Sequence, residues 1–309
     1  MRGIDCYSMA DLSIKNYEIN GAFVIPGFVS AQEVAGMKNR MAELVSEWDP
    51  AESKGSVFVT TEEQHIRTAF FLDSADSIRF FLEAGAVDEE GNVRASVKKE
   101  EAINKAGHGL HVKDDIFKAY AFSPKVVNLV TSLGYKAAVL PQSMYIFKQP
   151  KIGGTVTSHQ DSTFLFTEPR LTCLGLWLAL DDADLVNGCL WVRPGSHKEP
   201  LRRRFVTTSD GNPTRFVDIA PDESKWEGKM PGNGRIEDLK KAGFIYVPVK
   251  AGDLVGIHGS VDHLSLPNTS NKGRHSFQLH LVEGPDNGVY WGKENWLQYK
   301  DHKPFPRLV

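Results

Sequence analysis

Cysteine is scarce in this chain of 309 residues: Cys6, Cys173 and Cys189 stand far apart, and no two form a CxxC pair. An odd number at wide spacing argues against a disulfide framework and predicts buried free thiols in a reducing compartment. Neither sign of charge is in excess. The 36 Lys+Arg face 39 Asp+Glu, a net of −3, which leaves no global attraction for nucleic acid or an anionic membrane. No apolar run approaches the roughly 18 residues of a membrane span, and Met1 to Lys15 lacks the apolar core of a signal peptide. The final residues, Pro306 to Val309, are not a peroxisomal tripeptide. Together these absences predict a soluble cytosolic protein. Two enzyme signatures are missing as well. No Gly-x-Gly-x-x-Gly follows a strand-like run, and Gly195-Ser196-His197 lacks the nucleophile elbow Gly-x-Ser-x-Gly, so it reads as a turn after Pro194.

What is present is ordinary globular composition, 41% hydrophobic and 24% charged, in a chain long enough to bury a core without staples. The front third reads as helical. Ser30 and Glu33 form a capping box, and Val34, Met37, Met41 and Leu44 follow at helical spacing to about Trp48. Gly21 to Phe28 reads as a short strand and a turn, Asp49 to Glu63 as a loop, and Ser77 to Ala86 as a short aromatic helix end. Ser123-Pro124 opens a helix that stops at Gly134. After Gly134 the texture changes to short apolar or alternating runs at 139–148, 171–180, 189–192, 244–247, 253–258 and 276–282. Turn residues such as Asn187-Gly188 and Ala251-Gly252 separate them, as expected for a sandwich or barrel. Lys198 to Lys241 is long and polar and reads as a loop insertion. The expected organisation is one domain over 1–309, with a helix-rich front (1–135) and a β core (136–309).

The segment that carries chemistry is Thr157-Ser158-His159-Gln160-Asp161. Residues two apart on a strand project to one face, so His159 and Asp161 can reach one point. An imidazole and a carboxylate there are two thirds of the facial triad of non-haem Fe(II) oxygenases, which leaves adjacent positions for a bidentate cosubstrate and O2. The third ligand must come from a strand that returns beside the first, and His258, His263 and His280 all qualify. Arg274 stands eleven residues after His263. A buried arginine there grips a distal carboxylate in bidentate fashion, and Ser276, on the same face, adds a hydroxyl. The blander readings are an exposed strand-end charge for Arg274 and hydrogen-bonded structural roles for His258 and His280. For Arg202-Arg203-Arg204, the one compact basic run, the expected role is a solvated surface.

His159-x-Asp161, then His263, then Arg274 resembles the phytanoyl-CoA dioxygenase family of 2-oxoglutarate-dependent Fe(II) oxygenases. The flanking text agrees: Gln142 to Pro150, Asn187 to Trp191, Pro194 to His197 and Glu294 to Gln298, a likeness running from Gly21 to Phe305. The resemblance implies a mainly β fold with flanking helices, built on a double-stranded β-helix (jelly-roll, cupin-like) core. It implies that His159, Asp161 and His263 hold Fe(II), that Arg274 binds the 5-carboxylate of 2-oxoglutarate, and that Lys105, Met144 and Trp177 surround that cosubstrate. The competing expectations are a surface charge for Lys105 and core filling for Met144 and Trp177. Departures from the family are the 198–241 insertion and Lys272, where a second arginine is expected; both bear on substrate. The implied reaction is hydroxylation of a small molecule with release of succinate and CO2. An acyl-CoA hydroxylated at carbon 2, in lipid metabolism, is the alternative, and a non-catalytic metal-binding cupin module is the alternative outside enzymes.

Overall fold

The computed structural model describes residues 12–58, 69–208, 214–220 and 227–309; Cys6 and part of the 49–63 loop lie outside them. Strands in chain order are β1 (Ala22–Ile25), β2 (Ile78–Leu82), β3 (Ile103–His108), β4 (Ala138–Ile146), β5 (Val156–His159), β6 (Thr167–Glu168), β7 (Leu174–Ala179) and β8 (Leu190–Val192). They continue as β9 (Arg203–Thr207), β10 (Thr214–Asp218), β11 (Ile245–Val247), β12 (Leu254–His258), β13 (His263–Ser265), β14 (Ser276–Glu283) and β15 (Tyr290–Trp291). A seven-stranded antiparallel sheet runs β1-β12-β7-β14-β4-β3-β2, and a four-stranded sheet runs β11-β8-β13-β5.

Alternation along the central strands decides which residues meet what. On β7, Leu174, Leu176 and Leu178 belong to one buried cluster with Leu279 and Leu281 of β14 and with Met37 and Met41 of the helix Ala31–Glu47. The intervening Trp177 and Ala179 pack instead with Leu190 and Val192 of the small sheet. The large sheet is thus apolar toward the helices on one face and looks into the gap between sheets with the other. Where β1 crosses β12, Phe23 lies opposite Gly256, and a Cβ there would sit 2.1 Å from the Phe23 ring. That strand position requires glycine for space, not for its torsions.

The helix Ala31–Glu47 forms as the sequence indicates. Glu33 N–H donates to Ser30 Oγ at 3.2 Å, and Ser30 N–H donates to Glu33 Oε2 at 2.8 Å. Val34, Met37, Met41 and Val45 are its buried stripe, while Leu44 is only partly buried. Its Arg40 holds Asp114 at 2.7 Å, at the cap of Asp115–Ala121. Cys173 and Cys189 are free and buried, as expected.

Three expectations are corrected. Ser77 to Ala86 is not a helix end: Ile78–Leu82 is β2, edge strand of the large sheet, and its aromatic run fits a half-buried pleated surface. The helix-rich front contributes β1, β2 and β3, so the large sheet draws on both parts of the chain. Lys198 to Lys241 is not merely a loop. It carries the hairpin β9–β10 and the helix Ile236–Lys241, whose Leu239 packs under Trp191 and Phe244.

Candidate metal centre and adjoining cavity

The antiparallel pairing of β5 and β13 puts His159 directly opposite His263, with ring centroids 4.1 Å apart. Asp161 is not on the strand, as the alternation argument supposed, but opens the 3₁₀ turn Asp161–Thr163 just beyond it. Its Oδ1 lies 3.6 Å from Nε2 of both histidines, and one ligand atom from each of the three falls within 4.8 Å of the others. Each imidazole is fixed from behind. His159 Nδ1–H donates to Thr157 O at 2.9 Å and His263 Nδ1–H to Val261 O at 3.0 Å. Both Nε2 lone pairs are thereby left for a cation, the arrangement that carbonyl-held metal histidines adopt.

The charges agree with that chemistry. Burial opposes ionisation of Asp161, yet His263, His280 and a hydrogen bond from His159 outweigh it and hold the carboxyl well below its usual range. Burial likewise opposes a charge on His159, but Asp161 overcomes it and raises the pKa. Burial and the neighbouring His159 push His263 down to about 4. A divalent cation bound here would compete with protons for the same nitrogen and oxygen atoms. Two neutral imidazoles and a carboxylate suit Fe(II) with open positions.

The inner face of the large sheet supplies a second wall. Lys105, Ile146, Ser276 and Ala179 form one row across β3, β4, β14 and β7; Gly107, Met144, Gln278 and Trp177 form the next, and Gln142, His280 and Gly175 the third. Lys105 is buried, so the surface-charge reading fails. Its Nζ is 3.1 Å from His108 Nε2, 3.9 Å from Met144 Sδ and 3.8 Å from the centroid of Phe58. Met144 and Trp177 line the same cavity.

Arg274 is also buried, not an exposed strand-end charge. Nη1–H donates to Ser276 Oγ at 3.1 Å and Nη2–H to Gly188 O at 2.8 Å, and the guanidinium lies 5.1 Å from the Trp177 ring centroid. Its Nε–H has no hydrogen-bond partner among the described residues. Burial lowers its pKa to about 10. Beside it stands Lys148, which sequence reasoning missed. This lysine is buried, bonds Gly154 O and Ser265 Oγ at 2.8 Å each, and is pushed well below its usual pKa by burial and Arg274. The signal available was a lysine closing an apolar strand.

The remaining candidates separate cleanly. His280 lines the cavity and bonds Asp161. His258 sits elsewhere, accepting from Ser260 N–H at 3.1 Å beside His197, which fits its structural reading. Lys272 is exposed on the loop before Arg274. The solvated reading of the arginine run is overturned: Arg202 and Arg203 are buried. Arg202 pairs with Asp262 and Glu199, and Arg203 with Glu227 at 3.2 Å while stacking on Phe216 at 3.8 Å. The run reads as surface only because its acidic partners are spread over the sequence. The cavity encloses about 180 Å³, and Phe71, Phe164, Phe205, Phe216 and Trp296 are among the residues that line it.

The family model described as Phytanoyl-CoA dioxygenase (PhyH) matches residues 17–276. Among curated proteins, the chain is 44% identical to "Phytanoyl-CoA dioxygenase 1" of Oryza sativa subsp. japonica over 95% of each chain. It is 42% identical to "Phytanoyl-CoA dioxygenase domain-containing protein 1" of Mus musculus, over 98% of this chain and 99% of the other. Among solved structures, the epimerase SnoN in complex with Fe3+, alpha ketoglutarate and nogalamycin RO superposes with a TM-score of 0.59 at 18% identity, covering 97% and 98% of the two chains. EctD from S. alaskensis with bound Fe gives 0.58 at 17% identity, covering 99% and 88%. These two likenesses show the fold, a double-stranded β-helix flanked by helices.

Proposed function

The chain belongs to the phytanoyl-CoA dioxygenase family and is a 2-oxoglutarate-dependent dioxygenase, and from that membership we propose that His159, Asp161 and His263 hold its Fe(II) and that it hydroxylates a small organic substrate, releasing succinate and CO2. The observation that carries the assignment is the cross-strand opposition of two carbonyl-held histidines, with Asp161 between them, in one cavity with Arg274. Bound iron, with 2-oxoglutarate and O2, supplies the oxidising power; the protein supplies position and a dry chamber.

Arg274 takes the distal carboxylate of 2-oxoglutarate. Its Nε–H is buried without a partner among the described residues, and a charged acceptor satisfies it. Ser276 holds the guanidinium at one end and Gly188 O at the other, so the fork is already oriented. Lys148 adds positive potential beside it. Lys105, Met144 and Trp177 wall the cosubstrate, and the phenylalanines that line the same cavity keep the reacting region apolar.

The chamber, about 180 Å³, compares with cavities of ~150 Å³ that hold one benzene-sized molecule. Only the reacting end of a substrate therefore lies beside the metal. The acyl-CoA alternative, which the family resemblance implies, finds no free phosphate-binding cations in Arg202 and Arg203, because both are engaged in buried ion pairs. The test is anaerobic loading with Fe(II) and 2-oxoglutarate, followed by O2 and quantification of succinate and CO2. Iron-dependent succinate that disappears in Asp161→Ala is expected. Intact, iron-loaded protein that binds no 2-oxoglutarate would overturn the proposal.

A further inference from the structure

Asp161 offers two carboxylate oxygens, and the structure uses them differently. Oδ1 stands 3.6 Å from Nε2 of both His159 and His263. Oδ2 stands 3.2 Å from Nε2 of His280, which arrives from β14 on the other sheet. An ionised carboxylate only accepts, so the imidazole donates, and the His280 proton is on Nε2. A ring that carries its proton on Nε2 offers Nδ1 as an acceptor, and the Gln142 amide nitrogen lies 3.2 Å from it. Both His280 and Gln142 are about 95% buried, at 4% and 5% exposure. They share one row with Gly175 across β4, β14 and β7. The missing side chain at Gly175 is what lets them meet the carboxylate, since a Cβ there would be 3.1 Å from Asp161 Oδ2 and 3.5 Å from His280 Nε2.

Resting on the assignment of His159, Asp161 and His263 as the ligand set, we propose that His280 is a positioning residue that occupies Oδ2 and restricts Asp161 to coordination through a single oxygen, and that Gln142 fixes the imidazole tautomer which makes this bond. The chemical consequence is a count of positions. A facial set of three protein atoms leaves three neighbouring positions, enough for a two-point cosubstrate and O2. A carboxylate binding through both oxygens would take one of them. His280 is thus a part of the centre that never touches the metal, and its hydrogen bond joins the two sheets across 119 residues of sequence.

Co(II) is the probe, because its visible bands report coordination number. It is titrated into metal-stripped wild type and into His280→Ala, His280→Gln, Gln142→Leu and Asp161→Ala, and the thermal midpoint of each metal-free protein is recorded. His280→Ala is expected to bind Co(II) about ten- to a hundred-fold more weakly, with altered bands and a metal-free midpoint close to wild type. His280→Gln, which keeps an N–H donor, recovers most of the affinity, and Gln142→Leu falls between. Wild-type affinity and bands in His280→Ala overturn the proposal, as does a His280→Gln variant no better than His280→Ala. Should His280→Ala not fold, Gln142→Leu decides in its place: reduced affinity supports the proposal and wild-type binding overturns it. Retained binding in Asp161→Ala overturns the ligand set itself, and the proposal with it. That outcome differs from one in which Asp161→Ala abolishes binding and His280→Ala leaves it intact.

Discussion

A methyl group added at Gly175 tests the centre without removing any of its residues. The added Cβ would stand 3.1 Å from Asp161 Oδ2, whereas ordinary contacts begin at 3.4 Å. Something must give by about 0.3 Å. β7 is an inner strand of the large sheet, paired on both edges by β12 and β14, so the side chain yields before the backbone does. Metal–ligand distances tolerate about ±0.2 Å, and displaced supporting contacts weaken metal binding by about ten- to a hundred-fold, or roughly 1.4–2.7 kcal/mol. The fold itself should not suffer. Replacing glycine by alanine restricts the unfolded chain and is worth about 0.4–1 kcal/mol of stability where the conformation allows it. Gly175→Ala should therefore lose Mn(II) affinity in calorimetric titration, while the metal-free protein melts within a degree or two of wild type. Unchanged affinity in folded Gly175→Ala would refute the reasoning. So would a midpoint lowered by several degrees, since the backbone and not the carboxylate would then have moved.

Other consequences follow from charges and buried groups. Asp262 is fully buried between Arg193 and Arg202. Its replacement by Ala leaves Arg193 and Arg202 to share Glu199 and should cost about 3–5 kcal/mol, a fall in Tm of roughly 5–8 °C for a chain of 309 residues; calorimetry showing a loss under ~2 °C would contradict the pairing. Arg274→Met should weaken 2-oxoglutarate binding by about ten- to a hundred-fold, the worth of a charge-assisted hydrogen bond, while Mn(II) affinity without cosubstrate stays as in wild type; an equal loss of both would contradict a carboxylate role. His111, buried against Ser143, Leu140 O and Tyr299, is held by burial at about 4 against an ordinary 6.5. Between those values the unfolded chain takes up a proton that the folded protein does not, so stability rises with pH across the window and is lost as pH falls toward 4. The gap corresponds to roughly 3 kcal/mol. Denaturation of His111→Gln between pH 4 and 6.5 should show a shallower slope than wild type, and an identical slope would place the proton elsewhere.

Much of this was legible in the residues. Short strands punctuated by glycine turns indicate a β sandwich, and the helix after Ser30 declares itself through its cap and stripe. His159 and Asp161 stand out because only one residue separates them in sequence. Pattern narrows the candidates for a third ligand to His258, His263 and His280, structural roles are preferred for His258 and His280, and the family resemblance implies His263. What stayed hidden has one physical cause: partners distant along the chain. Lys105 looks like a surface charge until β3 carries it inward, and Arg202 and Arg203 look solvated until Asp262 and Glu227 meet them. β2 and β3 evaded detection for a related reason. Neither alternates cleanly, because the burial of each is set by what the sheet and the cavity place around it.

Asp262 and His263 are neighbours in sequence facing opposite ways, one into a cluster of arginines and the other into the chamber. The arginines come from the start of the 198–241 segment and from the end of β8, so the opening residues of that segment help anchor the strand that carries His263. For anyone exchanging this segment between relatives to alter what enters the chamber, the seam therefore matters more than the cargo. A cut before Arg202 removes the anchor together with the insert, whereas a cut after Arg202 leaves the anchor with the host and keeps Arg203 with its partner Glu227 in the transplantable unit.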